Sequence, residues 1–479
     1  MIITDYLQSF AQKTPNKIAV IDKENITYEK LFQKVSDFSS SIPDIPQRSV
    51  ISLMFDNSIE FLISYLGTVS AGHIAHLISP NISKINLESQ LESSKPKIVL
   101  TNKKFMRKFE RLDLMENNLI EYSEIVKKKN STVKMKPKMN DYAYLLFTSG
   151  TTSKPKGVGI THSQSEFTTN NIIKVLGYNS SDMNVVPLPF FHSFGLGCVH
   201  TSIFSGASLV IQKNTSEITS VLDVIEDKKA TTFAAVPSTL TTILKNLREK
   251  AGKTFSNLRL IMTNSTSIPI STVKEYKKIL KNGHLATYYG LTEASRSTFM
   301  IFKDDIKKET SVGVPAPNVQ IKIVKKNNEG KQGNILIKGK NVIDNYWDNV
   351  EADKNIVMGW LETGDLGTID SDGYLYLVGR NDDIINVAGN KVNPYEIEKI
   401  VKELSEIEDA VVVGKKHDTF GNVIKLIVKK TKGSQIKKSE IITYCIKNME
   451  RYKVPIDIEF IDEFPKTEYG KIKRFMLQE

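Results

Sequence analysis

Cysteine is nearly absent from this chain. Only Cys198 and Cys445 occur in 479 residues, with no CxxC pair, which excludes a disulfide framework and argues against a zinc or redox motif. Long apolar runs are missing too. The most hydrophobic stretch, Phe61 to Ser79, is interrupted by Gly67, Gly72, His73 and His76 and falls short of the ~20 apolar residues of a membrane helix. The N-terminus, MIITDYLQSFAQKTPNK, has no basic start, apolar core or small-residue cleavage site and does not read as a secretory leader. A cytoplasmic protein without an integral membrane segment is expected. Basic residues interleaved with aromatics, as nucleic-acid binding would want, are lacking, as are internal repeats and low-complexity tracts.

What is present is charge of one sign. The net charge is +11, and residues 95–138 alone hold 13 Lys/Arg against 5 Asp/Glu. Two readings stand: a landing surface for an acidic partner such as a nucleotide thiol or carrier protein, or a solvated lysine-rich face. With 40% apolar and 25% charged residues, the composition is that of an ordinary globular protein. The length calls for two or three domains.

Short apolar runs alternate with helical patterns up to about residue 300, as in VISLMF (50–55), PKIVLT (96–101), YAYLLFT (142–148), ASLVIQ (207–212) and LRLIMT (258–263). Most are continuous, predicting strands buried on both faces. After Gly313 the pattern turns β-rich, with VQIKIVKK and GNILIKG at hairpin-like spacing. Near residues 379–383 it changes again. The last hundred residues predict strands over 407–414 and 423–430 with helices over 394–404 and 438–450, a small α+β domain. The expected fold class is α/β: a large multi-layer N-terminal domain with mixed β-sheets, 1–379, and a small mobile α+β C-terminal domain, 380–479.

The most informative segment runs from Phe147 to Val158, FTSGTTSKPKGV, between the strand YAYLLF and a second short strand, VGIT. Small hydroxyl residues, two glycines and two lysines can wrap backbone N–H groups, hydroxyls and an ammonium around phosphate oxygens. It is not a Walker loop: the GxxxxGK[ST] spacing is absent and the flanks are strand and strand. A polar hairpin turn is the plain alternative.

This run resembles the phosphate loop of the adenylate-forming superfamily, which includes acyl- and aryl-CoA ligases, firefly luciferase and peptide-synthetase adenylation domains. Ser153 stands where the family usually has glycine. The resemblance implies that Thr148, Ser149, Gly150, Thr151, Thr152 and Lys156 contact ATP phosphates. Further motifs follow in the family's order over nearly the whole chain. YYGLTEAS (288–295) resembles the YGxTE motif, implying Tyr289 against adenine, Thr292 on the α-phosphate and Glu293 on Mg²⁺. WLETGDLG (360–367) resembles the TGD motif, implying that Asp365 binds the ribose hydroxyls. The longest match, Gly373 to Glu398, implies a ribose-contacting Arg380, a hinge at Asp382, and Gly389 where backbone must lie close to the pantetheine arm, an approach that a residue without a Cβ permits. Asn386 sits where many relatives carry lysine. FPKTEYGKIKR (464–474) resembles the C-terminal PxTxxGKxxR motif, implying that Lys471 bridges the carboxylate and α-phosphate. Lys466 and Lys473 read as solvated.

PLPFFHSFGLG (187–197) resembles the acyl-pocket motif. His192 matches the histidine of acyl- and aryl-CoA ligases, a carboxylate neighbour or pocket gate, although a histidine among aromatics is often simply packed. No aspartate stands where amino-acid-activating relatives have one. His73, His76, His200, His284 and His417 receive no role. Asn264 and Ser265 fall where relatives carry the adenine loop.

Together these resemblances imply an acyl-CoA synthetase: ATP, Mg²⁺ and a carboxylic acid give an acyl-adenylate, and CoA then takes the acyl group. Lys471, Thr292, Glu293 and His192 would be catalytic. The chain runs only a few residues past Arg474, with no appended carrier domain expected. A ligase loading a separate acyl carrier protein, a luciferase-type oxidative relative, and a catalytically dead nucleotide-binding scaffold are the alternatives. The acid, aliphatic or aryl, stays open.

Overall fold

The computed structural model describes all residues except 110–111, 113–118, 128–135, 149–154, 214–216, 265–267, 304–307, 326–331, 388–389, 418–420, 467–471 and 479, and the side chains of 350, 382, 391 and 421. The chain divides into two compact units: residues 1–321 with 337–361, and residues 322–336 with 362–479. The family's mixed α/β architecture is present: several mixed sheets in the N-terminal part and a smaller C-terminal α+β body.

In the first unit, the apolar runs become central strands. Val50–Met54 and Ile74–Ile78 are buried at every position, which continuous rather than alternating hydrophobicity requires. They lie in a six-stranded sheet ordered Leu119–Glu121, Ile98–Thr101, Val50–Met54, Ile74–Ile78, Tyr142–Thr148, Lys156–Thr161. Its neighbours are parallel except the last pair, an antiparallel hairpin. The helix Ile59–Ser70 is capped by Ser58, whose side chain accepts from the Phe61 N–H, satisfying one of the orphan donors of the first turn. Gly72, at φ +78°, then turns the chain into Ile74–Ile78. The stretch that falls short of a membrane span is therefore half helix, half strand. No helix among the described residues is long and apolar enough to cross a membrane.

A nine-stranded sheet in the same unit runs from Val314–Pro315 through Ala294–Phe302, His284–Leu291, Leu260–Thr263, Thr232–Ala234, Met183–Val186, Ser208–Ile211 and Ile18–Ile21 to Asn25–Thr27. Its interior is parallel; antiparallel pairs close both edges.

The second unit has its own core. The long hairpin of Ile407–His417 and Gly421–Lys430 is joined in parallel by Asp457–Phe460 and packs against the helices Pro394–Val401 and Lys438–Asn448 through Ile397, Val401, Val412, Leu426, Ile441 and Cys445. Both cysteines are buried and free.

Candidate active site

The strands that flank the phosphate-loop motif form the hairpin Tyr142–Thr148 and Lys156–Thr161, in register so that Thr148 faces Lys156. The Thr148 hydroxyl donates to the Lys156 carbonyl at 3.4 Å. The two ends of the loop are thus held side by side. Ser149, Gly150, Thr151 and Thr152 lie outside the described residues. Behind the hairpin stands Trp347: a Cβ on Gly157 would come within 2.8 Å of the Trp347 Cβ, so glycine permits the close approach.

From the loop's far end the Lys156 ammonium lies 5.7 Å above the Tyr346 ring. The Tyr346 hydroxyl donates to Glu293 Oε1 at 3.1 Å, and burial, reinforced by the Glu293 charge, pushes its pKa up. Lys156, Tyr346 and Glu293 therefore form one cluster. Tyr346 carries no sequence signal of its own; it lies in none of the recognisable motifs.

Glu293 and Thr292 are the two residues at the tip of a second hairpin, His284–Leu291 with Ala294–Phe302. Gly290 makes the bend possible: a Cβ there would stand 2.6 Å from the Ala294 carbonyl oxygen and the Arg296 nitrogen. Tyr289 is buried in the strand, its N–H donating to the Thr298 hydroxyl at 3.2 Å. No group of three or more His, Cys, Asp or Glu side chains is poised to hold a metal among the described residues. A lone carboxylate at an open tip fits Mg²⁺, which typically takes one or two protein carboxylates and fills its shell with substrate phosphates and water.

His192 immediately precedes the helix Ser193–Ser205, packed on the Phe191 ring at 4.9 Å. Desolvation lowers its pKa to about 3, so the ring is neutral at pH 7. Next to this helix runs a cavity of about 20 Å³ lined by Thr292, Ser193, Gly197, His200 and Arg296 among others. His200, given no role from sequence, is held between the Tyr65 hydroxyl at 2.7 Å and the Ser165 hydroxyl at 3.0 Å. It sits three residues beyond Gly197 in the same helix and lines the same cavity.

The second unit brings Asp365 and Arg380 together. They are directly opposed on the strands Trp360–Ile369 and Leu375–Arg380, with Arg380 Nε 3.4 Å from Asp365 Oδ1. Gly364, at φ +74°, supplies the left-handed residue before the carboxylate. Asp382 lies in the single turn Asn381–Asp383. Its neighbour Asp383 accepts from the Tyr395 hydroxyl at 2.6 Å. Over that ring, at 4.3 Å, lies the Arg474 guanidinium, which grips Glu398 with both forks at 2.6 and 2.9 Å. Arg474, the last residue of the C-terminal motif, is half-buried and clamps that motif to the turn and to the helix Pro394–Val401. Gly389 and Lys471 lie outside the described residues.

Two family models match the chain: AMP-binding enzyme over residues 7–347 and AMP-binding enzyme C-terminal domain over residues 396–471. The chain belongs to the AMP-binding enzyme family, the adenylate-forming superfamily that its motifs resemble. The 2-succinylbenzoate–CoA ligase of Oceanobacillus iheyensis is 29% identical over 98% of this chain and 98% of its own. The oxalate–CoA ligase of Arabidopsis thaliana is 28% identical over 98% and 97%. Among solved structures, the o-succinylbenzoate CoA synthetase of Bacillus subtilis with its acyl-adenylate intermediate superposes at a TM-score of 0.88, 26% identical, covering 99% of this chain and 98% of that one. The chain is an acid–thiol ligase of the AMP-forming kind.

Proposed function

We propose that this chain is an acyl-CoA synthetase. In the first half-reaction a carboxylate oxygen of the acid attacks the α-phosphorus of ATP; that P–O bond forms as the bond to pyrophosphate breaks. In the second, the CoA thiolate attacks the acyl carbon, a C–S bond replaces the C–O bond to phosphate, and AMP leaves with its electron pair.

The observation that carries this reading is the convergence of Thr148, Lys156, Tyr346 and Glu293: the ends of a phosphate loop and a hairpin-tip carboxylate in one cluster. Glu293 would hold Mg²⁺, which when bound offsets charge on the phosphates. Thr148 and Lys156 bind phosphate oxygens with Ser149, Gly150, Thr151 and Thr152, and Thr292 the α-phosphate. Tyr289 lies against adenine. Neutral His192 lies beside the carboxylate without adding a competing charge. Asp365 and Arg380 hold the ribose. Lys471 bridges carboxylate and α-phosphate, where an ammonium stabilises the charge that builds during attack. Residues 380–479 act as a lid that turns about Asp382 between half-reactions and brings the Gly389 backbone beside the pantetheine arm. Both nucleotide and CoA are cytoplasmic metabolites, and the enzyme works there.

ATP–pyrophosphate exchange driven by a panel of short, medium, long and aryl acids tests the reading. Acid-dependent exchange followed by AMP release with CoA is expected. Binding of ATP with no exchange for any acid would make the chain a nucleotide-binding scaffold. Acyl transfer to an acidic carrier protein but not to CoA would reassign the acceptor.

A further inference from the structure

Arg296 is 3% exposed, yet no carboxylate pairs with it among the described residues. Its guanidinium donates to the carbonyls of Ser193 and Phe194 at 3.0 and 3.2 Å and to the Ser295 hydroxyl at 2.7 Å, and it stacks on the Tyr288 ring at 4.8 Å. These are all neutral partners. A buried cation without a counter-charge is costly, and proteins retain one where a ligand supplies the missing anion. The backbone adds a second sign. Arg296 is held at φ +53°, a conformation that long side chains rarely adopt and that collects at functional sites.

The surroundings point the same way. The titratable groups that feel the Arg296 charge are Tyr144, Cys198, His200 and Tyr288. Burial pushes the two phenols and the thiol up to about 12 and pulls His200 down to about 3, so at neutral pH none supplies a negative charge. The cavity beside Arg296 mixes hydroxyls, the Gln164 and Asn341 amides and the His200 ring with the side chains of Leu146, Ile160 and Ile172, and at about 20 Å³ it is narrow. Its wall includes Thr292, so it leads from the adenylation motif to the guanidinium. A cavity this narrow has no room for a long alkyl chain, and an anion at its Arg296 end would supply the counter-charge that the guanidinium's neutral partners do not.

We propose that the acid activated at this site is a short dicarboxylic acid: one carboxylate is adenylated near Thr292 while the other pairs with Arg296. This rests on the acyl-CoA synthetase reading and narrows its substrate class. Arg296 binds the acid and takes no part in bond making, and a planar fork suits a carboxylate better than a lysine would.

Pyrophosphate exchange with succinate and glutarate, each beside its monomethyl ester and the matching unbranched monoacid, tests it. Wild-type kcat/KM should favour the diacid by about 10- to 100-fold, the range of a hydrogen-bonded charge pair. In Arg296→Leu that ratio should fall towards one. Because it is a ratio, general loss of folded enzyme cancels. Should the leucine variant not fold, Arg296→Lys decides: it should retain part of the preference and raise KM for the diacid more than for the ester. Exchange that favours the monoacids or esters in the wild type, or a ratio that both variants leave untouched, overturns the dicarboxylate assignment alone. No exchange with any acid would sink the parent reading with it.

Discussion

Lys471 carries the sharpest residue-scale expectation. If it bridges carboxylate and α-phosphate, Lys471→Ala should lower adenylation by about 10²–10³-fold, the usual cost of losing one oxyanion partner. Thioester formation from synthetic acyl-adenylate should be largely spared. Equal loss in both assays would mean that the lysine serves folding or CoA binding instead. Histidines give a second expectation. His76, His192 and His200 are held near pKa 3 by desolvation, against about 6.5 in an unfolded chain. As pH falls from 6.5 towards 3 the unfolded state takes up protons that the folded state refuses. Stability is therefore lost on acidification, by up to about 1.4 kcal/mol per pH unit and histidine. The melting temperature should drop through this window, and His200→Gln should make the slope shallower by up to one proton. A slope unchanged in that variant would show that His200 protonates without unfolding.

Among elements, the turn Asn381–Asp383 and the Arg474–Glu398 clamp matter most. Proline fixes φ, so Asp382→Pro should arrest a hinge, sparing adenylation more than thioester formation; equal loss would make the position merely structural. Arg474→Met leaves Glu398, 5% exposed, without its partner, and should cost the C-terminal unit about 3–5 kcal/mol. Arg474→Met with Glu398→Leu should recover much of that, measured by urea denaturation. Additive losses would deny that the two side chains act as a pair. At this scale the sequence was most legible where one physical signal sufficed. Continuous apolar runs announced Val50–Met54 and Leu260–Thr263, and the phosphate-loop motif announced the hairpin ends at Thr148 and Lys156. Tyr346, His200 and Arg296 were not legible, because each matters through its tertiary neighbours: Glu293, Ser165 and the Ser193 and Phe194 carbonyls respectively. The clamp that Arg474 forms was not legible for the same reason, since Glu398 lies 76 positions away.

At the scale of the whole molecule, the basic excess over 95–138 should steer CoA if it acts at all. Screening over ~8–10 Å at physiological salt means that KM for CoA should rise with ionic strength while KM for the acid hardly moves. Neutralising Lys103, Lys104 and Lys108 together should blunt that rise. The structure tempers the size: Lys104 is already 2.6 Å from Asp56, and Lys108 reaches the Pro80 carbonyl. An unchanged salt response in the triple variant would return the segment to an indifferent surface.

Gly197 packs so tightly on Arg296 that a single methyl group there would stand 2.0 Å from Nη2. Alanine at this position would therefore push the guanidinium aside without deleting it. If Arg296 reads the acid, the range of acids accepted would then answer to one glycine in the cavity wall, and a lineage could change diet there while the residues that hold the nucleotide stayed intact.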